Sequence, residues 1–117
     1  MSVKGIFVSA SATRECAAGE VIFEQGAPSS EMYGVVSGAV DLLKDGVAVA
    51  RIEPDGTFGE MGIIDGSPRS LTAVAAEPTT IAVIDDRTFL FLVQETPMFA
   101  LQVMQSLAAR IRELDAR

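Results

Sequence analysis

The chain has 117 residues, 49% of them hydrophobic and 21% charged, which describes one globular domain rather than two domains or a disordered segment. Nine basic against sixteen acidic side chains give a net charge of −7, which opposes long-range attraction to nucleic acid or an anionic membrane but leaves room for one small anion at a local basic spot. Histidine is absent and Cys16 is the single cysteine, which excludes an internal disulfide, a histidine-ligated metal and the usual Ser-His or Cys-His catalytic pairs.

Residues 1–14, MSVKGIFVSASATR, hold one lysine, a short apolar run and several small residues. The run is too short for a secretory signal, and no apolar stretch approaches the ~18 residues that span a bilayer. A cytoplasmic protein is expected, with a weakly ordered segment over 1–14. From about 15 to 85 the pattern is strand-like. Val21-Ile22-Phe23 lies between Gly19 and Gly26, and Met32 to Ser37 is closed by Gly38. Val40 to Leu42 and Val47 to Val49 flank Lys44-Asp45-Gly46, the signature of a tight hairpin. Pro54-Asp55-Gly56 is a further turn. Leu71 to Ala75 and Thr80 to Ile84 are two more strands, parted by Glu77-Pro78.

From 86 to 117 the period changes. Asp85 or Asp86 caps a helix over 87–94, and Thr96-Pro97 starts a second. Val103, Met104, Leu107, Ile111 and Leu114 recur at three- and four-residue steps and predict one apolar stripe. The fold expected is mainly β: an antiparallel β-roll of jelly-roll type followed by two α-helices, within one domain over 15–117. Met32, Met61 and Met104 are expected to pack, Cys16 to be a small buried hydrophobe, and Asp65-Gly66 to turn.

The stretch FGEMGIIDGSPRS, 58–70, carries the chemistry. Arg69 offers a planar fork of donors suited to phosphate or carboxylate, and Pro68 stiffens its approach. Ser70 adds a hydroxyl, and Gly59 lets backbone come close to a ligand. Residues 60–64 can form one helical turn whose free N–H groups face an anion. An ionised Glu60 only accepts hydrogen bonds, so it suits a ligand hydroxyl or can orient Arg69. Phosphate with a neighbouring hydroxyl describes a sugar phosphate. The competing reading is a surface ion pair between Glu60 and Arg69, worth about 0–1 kcal/mol.

FGEMGIIDGSPRSLTAVA resembles the phosphate-binding cassette of cyclic nucleotide-binding domains, and residues 17–43 resemble that family's early roll strands in their glycine spacing. The resemblance implies a β-roll followed by the family's two C-terminal helices. It implies cAMP or cGMP as ligand, cAMP favoured, with no catalytic residue, metal or cofactor. By that likeness Arg69 holds the exocyclic phosphate oxygens and Glu60 bonds the ribose 2′-hydroxyl. Backbone at Gly59, Glu60, Met61 and Gly62 supports phosphate or ribose, and Ser70 bonds phosphate. Leu114 falls where the last helix meets the base, and Arg110 could stack there as part of a lid. A regulatory sensor module follows, its last helix moving with ligand. Its partners are a small cyclic nucleotide and a second copy or a regulated protein, without nucleic acid or membrane. The alternative is a ligand-free roll used as an interaction or structural domain.

Overall fold

Short β-branched runs between glycine turns favour extended chain, and in the computed structural model, which describes residues 12–115, they form eight antiparallel strands in two sheets. One sheet has the order β1 (Ala12–Cys16), β8 (Thr79–Asp85), β3 (Glu31–Ser37), β6 (Thr57–Phe58). The other has the order β2 (Val21–Phe23), β7 (Thr72–Ala75), β4 (Val40–Lys44), β5 (Val47–Ile52). Among the described residues three helices accompany the sheets: α1 (Met61–Asp65), α2 (Asp86–Glu95) and α3 (Pro97–Asp115).

β3 explains where the cores sit. Successive side chains of a strand point to opposite faces. Tyr33 and Val35 enter a core between the sheets with Val40, Leu42, Phe58 and Ile81. Met32 and Val36 face the other way, into a second core with Ile84, Leu92, Phe99 and Val103. A strand covered on both faces needs this near-continuous apolar run. The second core is what holds α2 and α3 against the roll.

The predicted turns are present. Asp45 and Gly46 have φ of 51° and 82°, both left-handed, as a two-residue hairpin between β4 and β5 requires. Gly56 N–H donates to Glu53 O at 2.9 Å across the next turn. Gly66 ends α1 with φ 76°. Asp85 caps α2, its Oδ1 accepting from Thr88 N at 2.8 Å. The backbone bond from Thr88 is the main reason the Asp85 carboxyl titrates below its usual range. Cys16 is buried, as expected.

Four expectations need correction. Residues 12–14, assigned to a weakly ordered segment, belong to β1, which pairs with β8 from Ala12↔Val83 to Cys16↔Thr79. The polar sequence of β1 has no apolar alternation to announce it; the edge of β8 supplies the register. The rest of that segment, residues 1–11, lies outside the described residues, as do residues 116–117. The turn expected at 60–64 is α1 at 61–65, with Glu60 as its N-cap residue. The single stripe on the last helix divides: Val103 is buried and Leu107 partly so, whereas Met104, Ile111 and Leu114 are exposed. Met104 lies about 100° around the helix from Val103 and cannot share its face. Of the three methionines, only Met32 is buried in the core; Met61 and Met104 are exposed.

Candidate functional site

Arg69 follows Pro68 at the entry to β7, and its backbone is clamped on both sides. Its N–H donates to Ala27 O at 2.8 Å, and Gly26 N–H donates to Arg69 O at 2.7 Å. The side chain is 7% exposed. Its guanidinium carbon stands 4.1 Å from the Phe23 ring centre and 5.5 Å from that of Tyr33. Nη1 donates to Gly59 O at 2.8 Å, and Nη2 reaches Tyr33 Oη at 3.5 Å. Phe23, Tyr33 and Phe58 stack with centroids 5.3–6.0 Å apart, making a rigid platform beneath the cation. Gly59 has φ 78°, and a Cβ there would stand 2.8 Å from Arg69 Nη1. Glycine is therefore required on two counts, backbone conformation and space.

Among the described residues no carboxylate forms an ion pair with Arg69. Its guanidinium is held by a carbonyl, a phenol and ring faces, with Glu31 and Glu60 acting on its charge only from beyond ion-pair distance. Burial pushes its pKa below the ordinary arginine value, the direction expected of a cation removed from water without a counter-ion. An arriving anion would reverse that.

Glu60 does not pair with Arg69, and neither group is a surface residue. Its carboxylate is fully buried and bound by Arg110 of α3: Nη1 to Oε1 at 2.8 Å and Nη2 to Oε2 at 3.4 Å. Arg110 Nη2 also donates to Thr57 O at 3.1 Å. One turn earlier, Ser106 Oγ donates to Thr57 O at 2.7 Å and accepts from Thr57 N at 3.2 Å. Two consecutive turns of α3 are thus tied to β6, which leads directly into Gly59 and Glu60. Arg110 is 8% exposed and faces the roll.

The cassette residues border two cavities. One, of about 20 Å³, is walled in part by Gly59, Gly62, Arg69 and Ser70. A larger one of about 460 Å³ lies against α3 and is bounded by Leu71, Leu107, Ile111, Leu114 and Lys44. Met61, Ser70, Leu71 and Arg110 belong to both walls. The arrangement offers a buried cation at one end, a carboxylate beside it, and an apolar chamber under the last helix. Five of the six cassette residues expected to bind ligand, Gly59, Met61, Gly62, Arg69 and Ser70, wall these cavities with Arg110 and Leu114; Glu60 lines neither and meets them through Arg110.

Sequence reasoning did not single out Phe23, Tyr33, Ser29, Leu71 or Lys44. An aromatic residue in a strand reads as core, and nothing local reveals that two rings carry an arginine. Lys44 looked like part of a hairpin turn and proves to sit on the chamber wall.

A family model described as the cyclic nucleotide-binding domain matches residues 13–96. The chain belongs to that family. The cAMP-dependent protein kinase regulatory subunit of Yarrowia lipolytica is 40% identical over 76 residues, covering 65% of this chain and 20% of the relative. The cyclic AMP receptor protein of Thermus thermophilus is 34% identical over 102 residues, covering 83% of this chain and 47% of that protein. The solved structure of the Thermus thermophilus catabolite activator protein superposes with a TM-score of 0.79 at 32% identity, covering 96% of this chain and 55% of that one. The chain thus spans less than half the length of these two curated relatives. Its antiparallel two-sheet roll with C-terminal helices is the fold of this regulatory domain family, and the cassette described above is the stretch that carried the resemblance.

Proposed function

We propose that this domain binds a purine 3′,5′-cyclic nucleotide, cAMP in preference to cGMP, and does no chemistry itself. The observation that carries this reading is Arg69: a nine-tenths-buried guanidinium without a carboxylate partner, fixed on an aromatic platform at the wall of a small cavity. A cyclic phosphate supplies the missing charge. In this reading Arg69 and Ser70 take its exocyclic oxygens, backbone from Gly59 to Gly62 approaches the phosphate and ribose, and Glu60 accepts from the 2′-hydroxyl. Oε2 is its less engaged oxygen, so the carboxylate can serve ligand and Arg110 together. The base enters the chamber beneath Leu107, Ile111 and Leu114. The preference for cAMP is supported by the apolar lining of that chamber and by the cAMP-linked names of the two curated relatives. Ser70 also offers a hydroxyl to guanine, so cGMP is the competitor to measure.

Calorimetric titration of the purified chain with cAMP and with cGMP tests the reading. Tighter binding of cAMP is expected. Ligand at a hundredfold over its dissociation constant should add about 2.7 kcal/mol to stability, seen as a rise in Tm. No heat and no Tm change with either nucleotide would overturn it.

The regulatory output is proposed to run through α3. Ligand shifts this helix only if it contacts one position more than another. Leu114 is 41% exposed; closing it over a purine is worth up to about 1.5–3 kcal/mol. Hydrogen exchange over residues 105–115 is expected to slow on saturation with cAMP. Truncation after Arg110 should weaken binding by roughly that packing energy while phosphate recognition persists. Unresponsive exchange together with unchanged affinity in the truncated chain would leave α3 as a structural cap. Leu101 and Met104 are exposed on α3 away from that chamber, and we assign that apolar face to a second copy of the chain or to the regulated protein. Sedimentation of the free and nucleotide-saturated chain reads the first of these; a monomer in both states excludes it. Among the described residues no helix is long and apolar enough to cross a membrane.

A further inference from the structure

Ser29 lies in the loop between β2 and β3, outside the cassette. Its Oγ is buried and has no hydrogen-bond partner. Native structures seldom keep such a group without a use. Its surroundings say what the use is. Ser29 is a wall of the small cavity that Arg69, Ser70 and Gly59 also line. The loop is held there, since Gly26 and Ala27 make the two backbone hydrogen bonds that clamp Arg69. Gly62 completes the fit: a Cβ at that position would collide with Ser29 Cβ and Oγ. Glycine at 62 is what admits the hydroxyl against the cassette backbone.

A second buried atom on this wall is unpartnered, Arg69 Nε. It can only donate. The serine hydroxyl does not accept from it and retains its own proton to give. Two unpartnered donors on residues that wall one small cavity call for an acceptor with more than one lone pair, and a phosphoryl oxygen is one. We infer that Ser29 is a further ligand-binding residue whose hydroxyl donates to an exocyclic oxygen of the bound cyclic phosphate, beside the Arg69 guanidinium. This rests on the cyclic-nucleotide reading. It makes the β2–β3 loop part of the phosphate site and makes the two exocyclic oxygens unequal, one of them facing Ser29.

The test uses the whole chain, cAMP, and the two phosphorothioate diastereomers of cAMP, in which sulfur replaces one exocyclic oxygen or the other. Ser29→Ala keeps the Cβ packed against Gly62 and removes only the unpartnered oxygen. Its unliganded Tm should therefore hold or rise, while cAMP binds about ten- to a hundredfold more weakly, the scale of one hydrogen bond to a charged acceptor. The affinity ratio between the two diastereomers should shrink in Ser29→Ala. Ser30→Ala, at the exposed neighbour, should change neither quantity. Gly62→Ala, which displaces the hydroxyl, should reproduce the smaller ratio. Unchanged cAMP affinity in Ser29→Ala, or an equal loss for both diastereomers, overturns the assignment. Wild-type protein that binds none of the three nucleotides overturns the reading beneath it instead.

Discussion

Arg69→Ala is expected to weaken cAMP binding by about 2–5 kcal/mol, the range for deleting one partner of a desolvated, hydrogen-bonded charge pair. The loss should far exceed the change in the unliganded fold. There the side chain contributes a hydrogen bond to Gly59 O, a long one to Tyr33 Oη and stacking on Phe23, together about 1–2 kcal/mol, against which stands the cost of burying an uncompensated cation. Arg69→Lys should recover only part of the affinity. A lysine keeps the charge but cannot fork across two oxygens or lie flat on the Phe23 ring. Calorimetry of the two variants beside wild type measures this directly. Equal affinity in Arg69→Ala and wild type would remove Arg69 from the site, and with it the observation on which the functional reading stands.

The contrast between Arg69 and Glu60 shows what a sequence can and cannot reveal. Arg69 sits in a local pattern, Ser67-Pro68-Arg69-Ser70, whose stiffness and donors are properties of neighbours in the chain. Turns are local in the same sense: Lys44-Asp45-Gly46 and Asp65-Gly66 behave as their residue types demand. Most strands were legible because β-branched runs end at glycine or proline. β1 and β6 were not. The first is polar and exists because β8 has an edge to pair; the second is two residues long, held by Tyr33↔Phe58 and Gly34↔Thr57. The partner of Glu60 is 50 positions away on another element. Arg110 falls seven residues after Val103, on the same helical face, yet nothing local says that this face meets Glu60. Only the packing of α3, set by Phe99 and Val103 in the second core, does that. The aromatic platform is of the same kind: Phe23, Tyr33 and Phe58 come from three strands in two sheets.

The Glu60–Arg110 pair should therefore be where stability and ligand response meet. The carboxylate is fully buried and the guanidinium nearly so. Removing either partner leaves the other uncompensated, so Glu60→Ala and Arg110→Met should each cost about 3–5 kcal/mol. For a domain whose whole stability is about 5–15 kcal/mol, the single variants will melt at much lower temperature. The double variant should be more stable than the sum of the two losses predicts, with a coupling of about 1–3 kcal/mol, because neither charge is then stranded. Ligand binding separates this structural part from recognition. Wild type should bind 2′-deoxy-cAMP less well than cAMP by about 1–3 kcal/mol, the value of a hydrogen bond to a charged acceptor. Glu60→Gln, which keeps the shape and one acceptor oxygen, should narrow that gap. Arg110→Met should retain the gap, since the carboxylate remains, yet lose protection from hydrogen exchange in α3, because the helix keeps only the Ser106–Thr57 bonds to β6. Denaturant melts of the four proteins in the cycle give the coupling, and titrations with the two nucleotides give the gap. A coupling near zero would mean that the buried pair does not tie α3 to the cassette. A gap indifferent to Glu60 would take the ribose contact away from it and leave the residue as the anchor of α3 alone.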